Sequence, residues 1–449
     1  MINKILIANR GEIAVRIIRA CTELGIDSVS IYSEADADSL HRKIATESYC
    51  VGPKLSKDSY LDMISIITIA KKSGCDAIHP GYGFLAENSD FAEMCEASNL
   101  IFIGPMHETI SLMGVKDVAK DTMKKAGVPT VPGSDGVVAS IEDAKQTASD
   151  IGYPVIIKAS YGGGGKGIRV ARTEEELVQN YKMTEQEAES AFGNKSLYIE
   201  KYIENFRHIE IQVMGDYHGN VIHLGERDCT VQRRMQKLVE EAPSPILSEE
   251  KRSEMGETAV RAAKSIDYIG AGTIEFIYDL NDDRFYFMEM NTRIQVEHPV
   301  TEMVTGIDLV KMQIKVARRE AIPYRQEDIR IEGHAIEFRI NAENPYKNFM
   351  PSAGTITDFI VPGGYGVRLD TACYAGYRIP PYYDSMIAKL ITFADTREEA
   401  IRTAKRALGE YIIGGIDTTI PFHSNLLDNE AFRANDYNTN FLLEHDVMK

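Results

Sequence analysis

The chain has 449 residues, 44% of them hydrophobic, with no apolar run of bilayer length, so it reads as a soluble globular protein of about three domains. A net charge of -17 speaks against general nucleic-acid binding, because most of such a surface repels a phosphate polymer. Six scattered cysteines without a C-x-x-C pair fit reduced thiols, and the start, MINKILIANRGEIAVRII, reads as strand, loop and helix rather than an export signal, so a cytoplasmic, non-membrane location is expected.

Residues 4–8 (KILIA), a helical pattern over 13–21 and residues 28–32 (SVSIY) form a β-α-β unit that a strand near 77–79 extends, which predicts an open α/β domain. Its first turn, Asn9-Arg10-Gly11-Glu12, has one glycine where a dinucleotide fingerprint needs three, so NAD is not expected. The loop His79-Pro80-Gly81-Tyr82-Gly83-Phe84 follows a strand end, where open α/β sheets hold ligands, yet Gly81 and Gly83 also suit an ordinary turn. A helical stretch over 111–126 leads to a Gly/Pro-rich boundary at 127–133.

Residues 154–160 (PVIIKAS) predict a strand, and the GGGGKG run at 162–167 is followed by another strand at 168–171. The run fails the P-loop pattern, since Ser160 and Gly167 stand where a glycine and a Ser/Thr belong, and is expected to be a hairpin loop. Its bare backbone N–H groups and Lys166 suit a lid over phosphates, with a plain surface hairpin as the alternative. Lys158 interrupts the apolar strand, as a phosphate contact or a snorkelling edge residue. Further strands are expected at 197–203 and 208–213. Residues 227–237 (RDCTVQRRMQK) form the densest basic stretch of an acidic chain and the best candidate for small anions.

Residues 272–278 (GTIEFIY) and the segment from 285 predict a hairpin around the turn residues Asn281, Asp282 and Asp283. From 289 to 297 a period of two gathers Glu289, Asn291, Arg293, Gln295 and Glu297 on one side, as a strand or an extended segment. With the register symmetric about Asp282, Glu275 faces Glu289. Two like charges there call for a bridging cation, and carboxylates with an amide oxygen suit magnesium. Ordinary ion pairs on a solvated strand face are the alternative. A C-terminal unit is expected from about Gly333, with a strand at 335–340 carrying Arg339 and a helix over 397–408.

Eight blocks, KILIANRGEIAVRIIRA, HPGYGFLAEN, GGGGKG, ERDCTVQRRMQK, GTIEFIYD, MEMNTRIQVEHPVTE, GHAIEFRINAE and PPYYDSM, together resemble the biotin carboxylase subunit of biotin-dependent carboxylases, within the ATP-grasp superfamily. The resemblance implies an N-terminal α/β domain (1–114), a central ATP-grasp domain (115–330, lid about 131–203) and a C-terminal α+β domain (331–449). It implies ATP contacts at Lys116, Lys158, Gly164, Gly165, Lys166, Glu200, Lys201, Tyr202, Ile203, His208, Gln232, Met235, Glu275 and Glu289. Many relatives have histidine where Met235 stands. Magnesium or manganese would bind Glu275, Glu289 and Asn291, and bicarbonate Lys237, Arg293, Gln295, Val296 and Glu297. Glu297 matches the general base and Arg339 the biotin-facing arginine.

The implied reaction is attack of bicarbonate on ATP to give carboxyphosphate and ADP, then transfer of the carboxyl group to biotin. No Met-Lys-Met turn is present and the chain stops soon after its last predicted domain, so biotin is expected on a separate carrier protein, with carboxyltransferase subunits as further partners. Arg19, Glu23, Tyr365 and Arg368 match a homodimer contact. Acetyl-CoA carboxylase in fatty acid synthesis is the expected setting. Pyruvate, propionyl-CoA and 2-oxoglutarate carboxylases use similar subunits, another ATP-grasp ligase would share the nucleotide half, and a non-catalytic nucleotide-binding regulatory subunit is the remote alternative.

Overall fold

The computed structural model describes residues 2–160 and 167–448. The chain forms two compact units, one of Met1–Leu112, His208–Glu275 and Met290–Lys449, the other of Met113–Arg207 and Phe276–Glu289. No described helix is long and apolar enough to cross a membrane.

The first unit opens with five parallel strands, β1 (Lys4–Ile7), β2 (Asp27–Ser33), β3 (Glu47–Gly52), β4 (Ala77–His79) and β5 (Ile101–Phe102), in the order β3-β2-β1-β4-β5. The apolar residues of β1, β2 and β4 are buried on both faces, as a helix-covered parallel sheet requires, while the edge strands β3 and β5 leave Tyr49 and Ile101 exposed. The helix Gly11–Glu23 buries Ile13, Ile17 and Ile18. Its entry turn is tied to the loop after β4, because Asn9 Nδ2 donates to the carbonyls of Pro80 and Tyr82, each at 2.7 Å. Gly81 has φ +63°, and a Cβ there would lie 2.9 Å from that same Nδ2. It is therefore a turn glycine packed against Asn9, and Gly83, at φ +68°, is also a left-handed turn residue.

The second unit centres on the antiparallel strands β6 (Val155–Ala159), β7 (Ile168–Ala171) and β8 (Leu197–Lys201), ordered β7-β6-β8, under the helices Ile141–Ile151 and Glu174–Phe192. Val155, Ile157, Leu197 and Ile199 alternate inward onto Ala144, Ala148 and Leu177. Lys158 pairs with Ile168, so the glycine run does connect two strands of a hairpin. The expected helix over 111–126 is instead two, His107–Gly114 and Lys116–Lys125, separated by Val115 in an extended conformation.

The long sheet comprises β9 (Phe206–Gly215), β10 (Val221–Arg233), β11 (Gln236–Ala242), β12 (Gly270–Asp279), β13 (Arg284–Asn291), β14 (His334–Asn341) and the strands Val367–Thr371 and Met386–Ala394. Its order is β13-β12-β9-β10-β11-β14, then Met386–Ala394, then Val367–Thr371. The C-terminal segment thus continues the sheet directly, through antiparallel pairing of β14 with β11. The helix His298–Thr305 lies on this sheet, with Val300 and Val304 against Ala242, Ala335 and Ile391.

Candidate active site

Two residues in left-handed conformation, Arg234 and Met235, make the tight turn between β10 and β11, with Arg233 paired to Gln236. The next residue, Lys237, points its ammonium at three carboxylates: Glu210 Oε2 at 2.5 Å, Glu297 Oε1 at 2.6 Å and Glu275 Oε1 at 2.9 Å. Burial works against its charge, but these glutamates outweigh it, so its pKa is raised well above the usual value. Arg227, fully buried and the register partner of Glu210, donates to Glu210 Oε1 at 2.6 Å, Gln212 at 2.7 Å, and Thr301 and Thr273 at 3.0 Å. The basic stretch is consequently not a single anion cradle. Arg227 is a structural fork, Arg233 turns to Asn348, and Met235 is 85% exposed at the turn. Gln232, half-buried, is the register partner of Lys237.

The expected polar row after Glu289 is gathered differently from a continuous strand. β13 ends at Asn291, the chain runs irregularly to Val296, and Glu297 is the residue at which the helix His298–Thr305 begins. Among the alternate residues, Met288 is partly exposed, whereas Met290, Thr292 and Ile294 are buried. The polar side chains still converge. Arg293 Nη1 donates to Gln295 Oε1 at 2.7 Å and Nη2 to Asn291 Oδ1 at 3.0 Å, while Asn291 Nδ2 and Gln295 Nε2 both donate to Glu275 Oε1, at 3.0 and 3.1 Å. The Val296 carbonyl accepts from Lys389 Nζ at 2.8 Å.

Glu297 is fully buried between cations, with Lys237 on Oε1 and Arg339 Nη2 2.9 Å from Oε2. Burial disfavours its charge, yet Lys237, Arg339 and Arg227 together hold its carboxyl well below the usual range. Arg339, on β14, also donates from Nε to Glu240 at 2.6 Å. Glu275 behaves like Glu297: burial raises its pKa, but Lys237 and His208, whose Nε2 lies 2.9 Å from Glu275 Oε2, bring it below the ordinary value. Glu275 and Asn291 therefore offer an ionised carboxylate and an amide, the hard donors that magnesium takes. Cys229 Sγ is 3.9 Å from Glu297, and burial pushes its thiol well above the usual pKa, so it remains neutral.

In the second unit, Lys158 Nζ lies 2.5 Å from Glu200 Oε2, and Lys120 bonds the other oxygen. Burial opposes the Glu200 charge, but these two lysines keep its carboxyl below the usual range. Lys116 approaches Glu289 at 3.5 Å, with both side chains largely open to solvent. The Lys201 ammonium is engaged by the Gly152 and Tyr153 carbonyls at 3.2 and 2.9 Å, which turns it away from an anion-binding role. Tyr202 is half-buried, and Ile203 is buried. Gly164, Gly165 and Lys166 lie outside the described residues. Glu275 and Asn291 belong to the first unit and Glu289 to the second.

Several members of the constellation escaped the sequence reading. Glu87 receives the Thr292 N–H at 3.1 Å and Arg293 Nε at 2.8 Å, although it stands in the HPGYGFLAEN block. Glu210, Glu240 and Lys389 were also missed. Their signal was present as charged residues inside otherwise apolar strands, which are rarely buried unless paired.

Residues 1–110 match the family described as Biotin carboxylase, N-terminal domain, 116–324 the Carbamoyl-phosphate synthase L chain, ATP binding domain, and 337–444 the Biotin carboxylase C-terminal domain. The chain is 65% identical over 448 residues to Biotin carboxylase 1 of Bacillus subtilis, covering 100% of both. It is 55% identical over 445 residues to a pyruvate carboxylase subunit of Methanothermobacter thermautotrophicus, covering 99% of this chain and 90% of that one. Among solved structures it is similar to the biotin carboxylase domain dimer of Hydrogenobacter thermophilus 2-oxoglutarate carboxylase, in complex with MgADP, ADP and bicarbonate. The TM-score is 0.93 and the identity 55%, covering 100% of this chain and 99% of that one.

Proposed function

The chain belongs to the biotin carboxylase family, with an ATP-grasp domain, and from that premise we propose how its own residues carry out the ATP- and bicarbonate-dependent carboxylation of biotin. The observation that carries this reading is Glu297, an ionised carboxylate held between Lys237 and Arg339. Bicarbonate takes the place beside Lys237, Arg293, Gln295 and the Val296 backbone, and Glu297 removes its proton as it attacks the terminal phosphate of ATP. The cations that depress the basicity of Glu297 are those the substrates engage. As Lys237 turns to bicarbonate and Arg339 to the ureido oxygen of biotin, Glu297 gains proton affinity at the step that needs it.

The carboxyphosphate so formed releases carbon dioxide and phosphate. The phosphate takes the ureido proton, and Arg339 stabilises the negative charge left on the ureido oxygen. Magnesium supplies charge neutralisation of the phosphates, and Glu275, Glu289 and Asn291 are its proposed ligands. Lys116, Lys158 and Glu200 are proposed nucleotide contacts, together with Gly164, Gly165, Lys166, the Lys201 to Ile203 backbone, His208, Gln232 and Met235. Glu275→Gln and Glu289→Gln should each raise the magnesium concentration for half-maximal turnover by about tenfold or more. An unchanged magnesium titration would remove that residue from the ligand set.

We place domain boundaries near residues 114 and 330, biotin on a separate carrier protein, carboxyltransferase subunits as partners, and the cytoplasm as location. The acetyl-CoA system is the preferred setting, while likeness to pyruvate and 2-oxoglutarate carboxylase subunits supports the second reading. The test is Arg339→Lys, which keeps charge but loses the planar fork. It should lower kcat/KM for free biotin and for a biotinylated carrier by about tenfold or more while leaving nucleotide binding in place. Full carboxylation by that variant would end the assignment, and a biotinylated lysine found on this chain by mass spectrometry would end the separate-carrier reading.

A homodimer is also proposed. Arg19, Glu23 and Arg368 line one groove of about 350 Å³, where Arg16 and Arg368 bond Glu302 at 2.9 and 2.7 Å. Tyr365 is 95% exposed. Arg19→Glu should shift sedimentation toward monomer; a wild-type protein that is already monomeric at micromolar concentration would refute the assignment.

A further inference from the structure

Two glutamates face each other in the middle of the long sheet, Glu240 on β11 and Glu337 on β14, as direct register partners. Like charges directly opposite destabilise an antiparallel pair, and here both side chains are wholly buried. Glu240 has a counter-ion in Arg339. Neither carboxyl oxygen of Glu337 has a hydrogen-bond partner among the described residues. An ionised carboxylate in that position would be a buried charge without a single donor, the situation a carboxyl group escapes by keeping its proton.

The surrounding charges come from every element packed on this face. Arg339 lies two residues along β14, and its register partner is Lys389 on the neighbouring strand, which in turn pairs with Asp370. Glu297 enters from the start of the helix His298–Thr305, Glu12 from the first turn of the helix Gly11–Glu23, and Tyr82 from the loop after β4. Lys389 is already taken by the Val296 carbonyl and by Glu12 at 3.1 Å, so it is not a dedicated counter-ion for Glu337. Burial is the main influence raising the Glu337 carboxyl well above its ordinary pKa; Lys389 opposes the shift and Glu240 adds to it. Burial likewise pushes Glu240 up to about 7.

We propose that Glu337 is a neutral carboxylic acid and a positioning residue for Arg339, keeping the charge around the guanidinium balanced so that it can receive a negative ureido oxygen. The proposal deepens the reading of Arg339 as the biotin-facing arginine and rests on it. Arg339 already holds two carboxylates, Glu240 and Glu297. An ionised Glu337 would add a third negative charge acting on the guanidinium and weaken its pull on the ureido oxygen. As pH rises and Glu337 loses its proton, KM for biotin rises, while KM for ATP does not. In Glu337→Gln the amide imitates the neutral acid and Glu240 loses its like-charged neighbour, so this rise disappears.

Infrared spectroscopy of the full chain should show a protonated-carboxyl band that Glu337→Gln lacks. KM for free biotin should climb about threefold or more from neutral to alkaline pH in the wild type and stay within about twofold in the variant. An unchanged carboxyl band, or the same climb in both proteins, overturns the proposal. Should Glu337→Gln fail to fold, the wild-type series decides, since a KM for biotin that is flat toward alkaline pH is incompatible with it. Loss of the band in Glu337→Gln together with an Arg339→Lys variant that handles biotin normally would overturn the role toward Arg339 and identify the biotin assignment as the failing part.

Discussion

Glu297→Gln is expected to bind ATP and to lose bicarbonate-dependent ADP formation by about a hundredfold or more, the usual contribution of a positioned general base. The amide keeps the shape and can still offer one oxygen to Lys237, which donates to Glu297 at 2.6 Å. It can no longer take a proton, and it turns an N–H toward one of its two cations. The loss should therefore fall on kcat with little change in nucleotide affinity, read by calorimetry alongside steady-state kinetics. Near-normal turnover would transfer the base role to another group.

Arg227→Ala should destabilise the folded chain by about 3–5 kcal/mol, the range for removing one partner of a buried ion pair. The guanidinium reaches Glu210 and Gln212 on β9, Thr273 on β12 and Thr301 on the helix that begins at Glu297. Its removal leaves Glu210 with a bare buried oxygen and opens a cavity beneath that helix. Arg227→Lys should recover part of the loss, because charge is restored while the fork geometry is not. Urea denaturation measures both, and a cost for the alanine variant below about 1 kcal/mol would place Arg227 outside the structural frame.

Much of this was legible because local patterns are short. β1, the Gly11–Glu23 helix and β2 follow from apolar periodicity, and the glycine hairpin follows from strands on both sides of the run. The row from Asn291 to Glu297 was found through a period of two, although its side chains meet across an irregular segment in which Arg293 bonds both Asn291 and Gln295. Hidden from the sequence were contacts set by sheet order. Glu210 and Arg227 are 17 residues apart and Arg339 and Glu297 are 42 apart, and no period links such pairs. The break at Val115 did have a local signal, the poor helix former Gly114 just before it.

The Lys237 ammonium has three hydrogens and three carboxylate neighbours, Glu210, Glu275 and Glu297. An arriving anion therefore exchanges with an internal bond and does not fill an open valence. Chloride or acetate would displace a glutamate and return nothing to it. In the reaction proposed above, bicarbonate differs because it carries a hydrogen: as it attacks phosphorus and that hydrogen passes to Glu297, the glutamate no longer requires the ammonium. On that reading, selection among anions would come at the chemical step, through what the ligand can hand over, and a loosely held substrate would follow from the same arrangement.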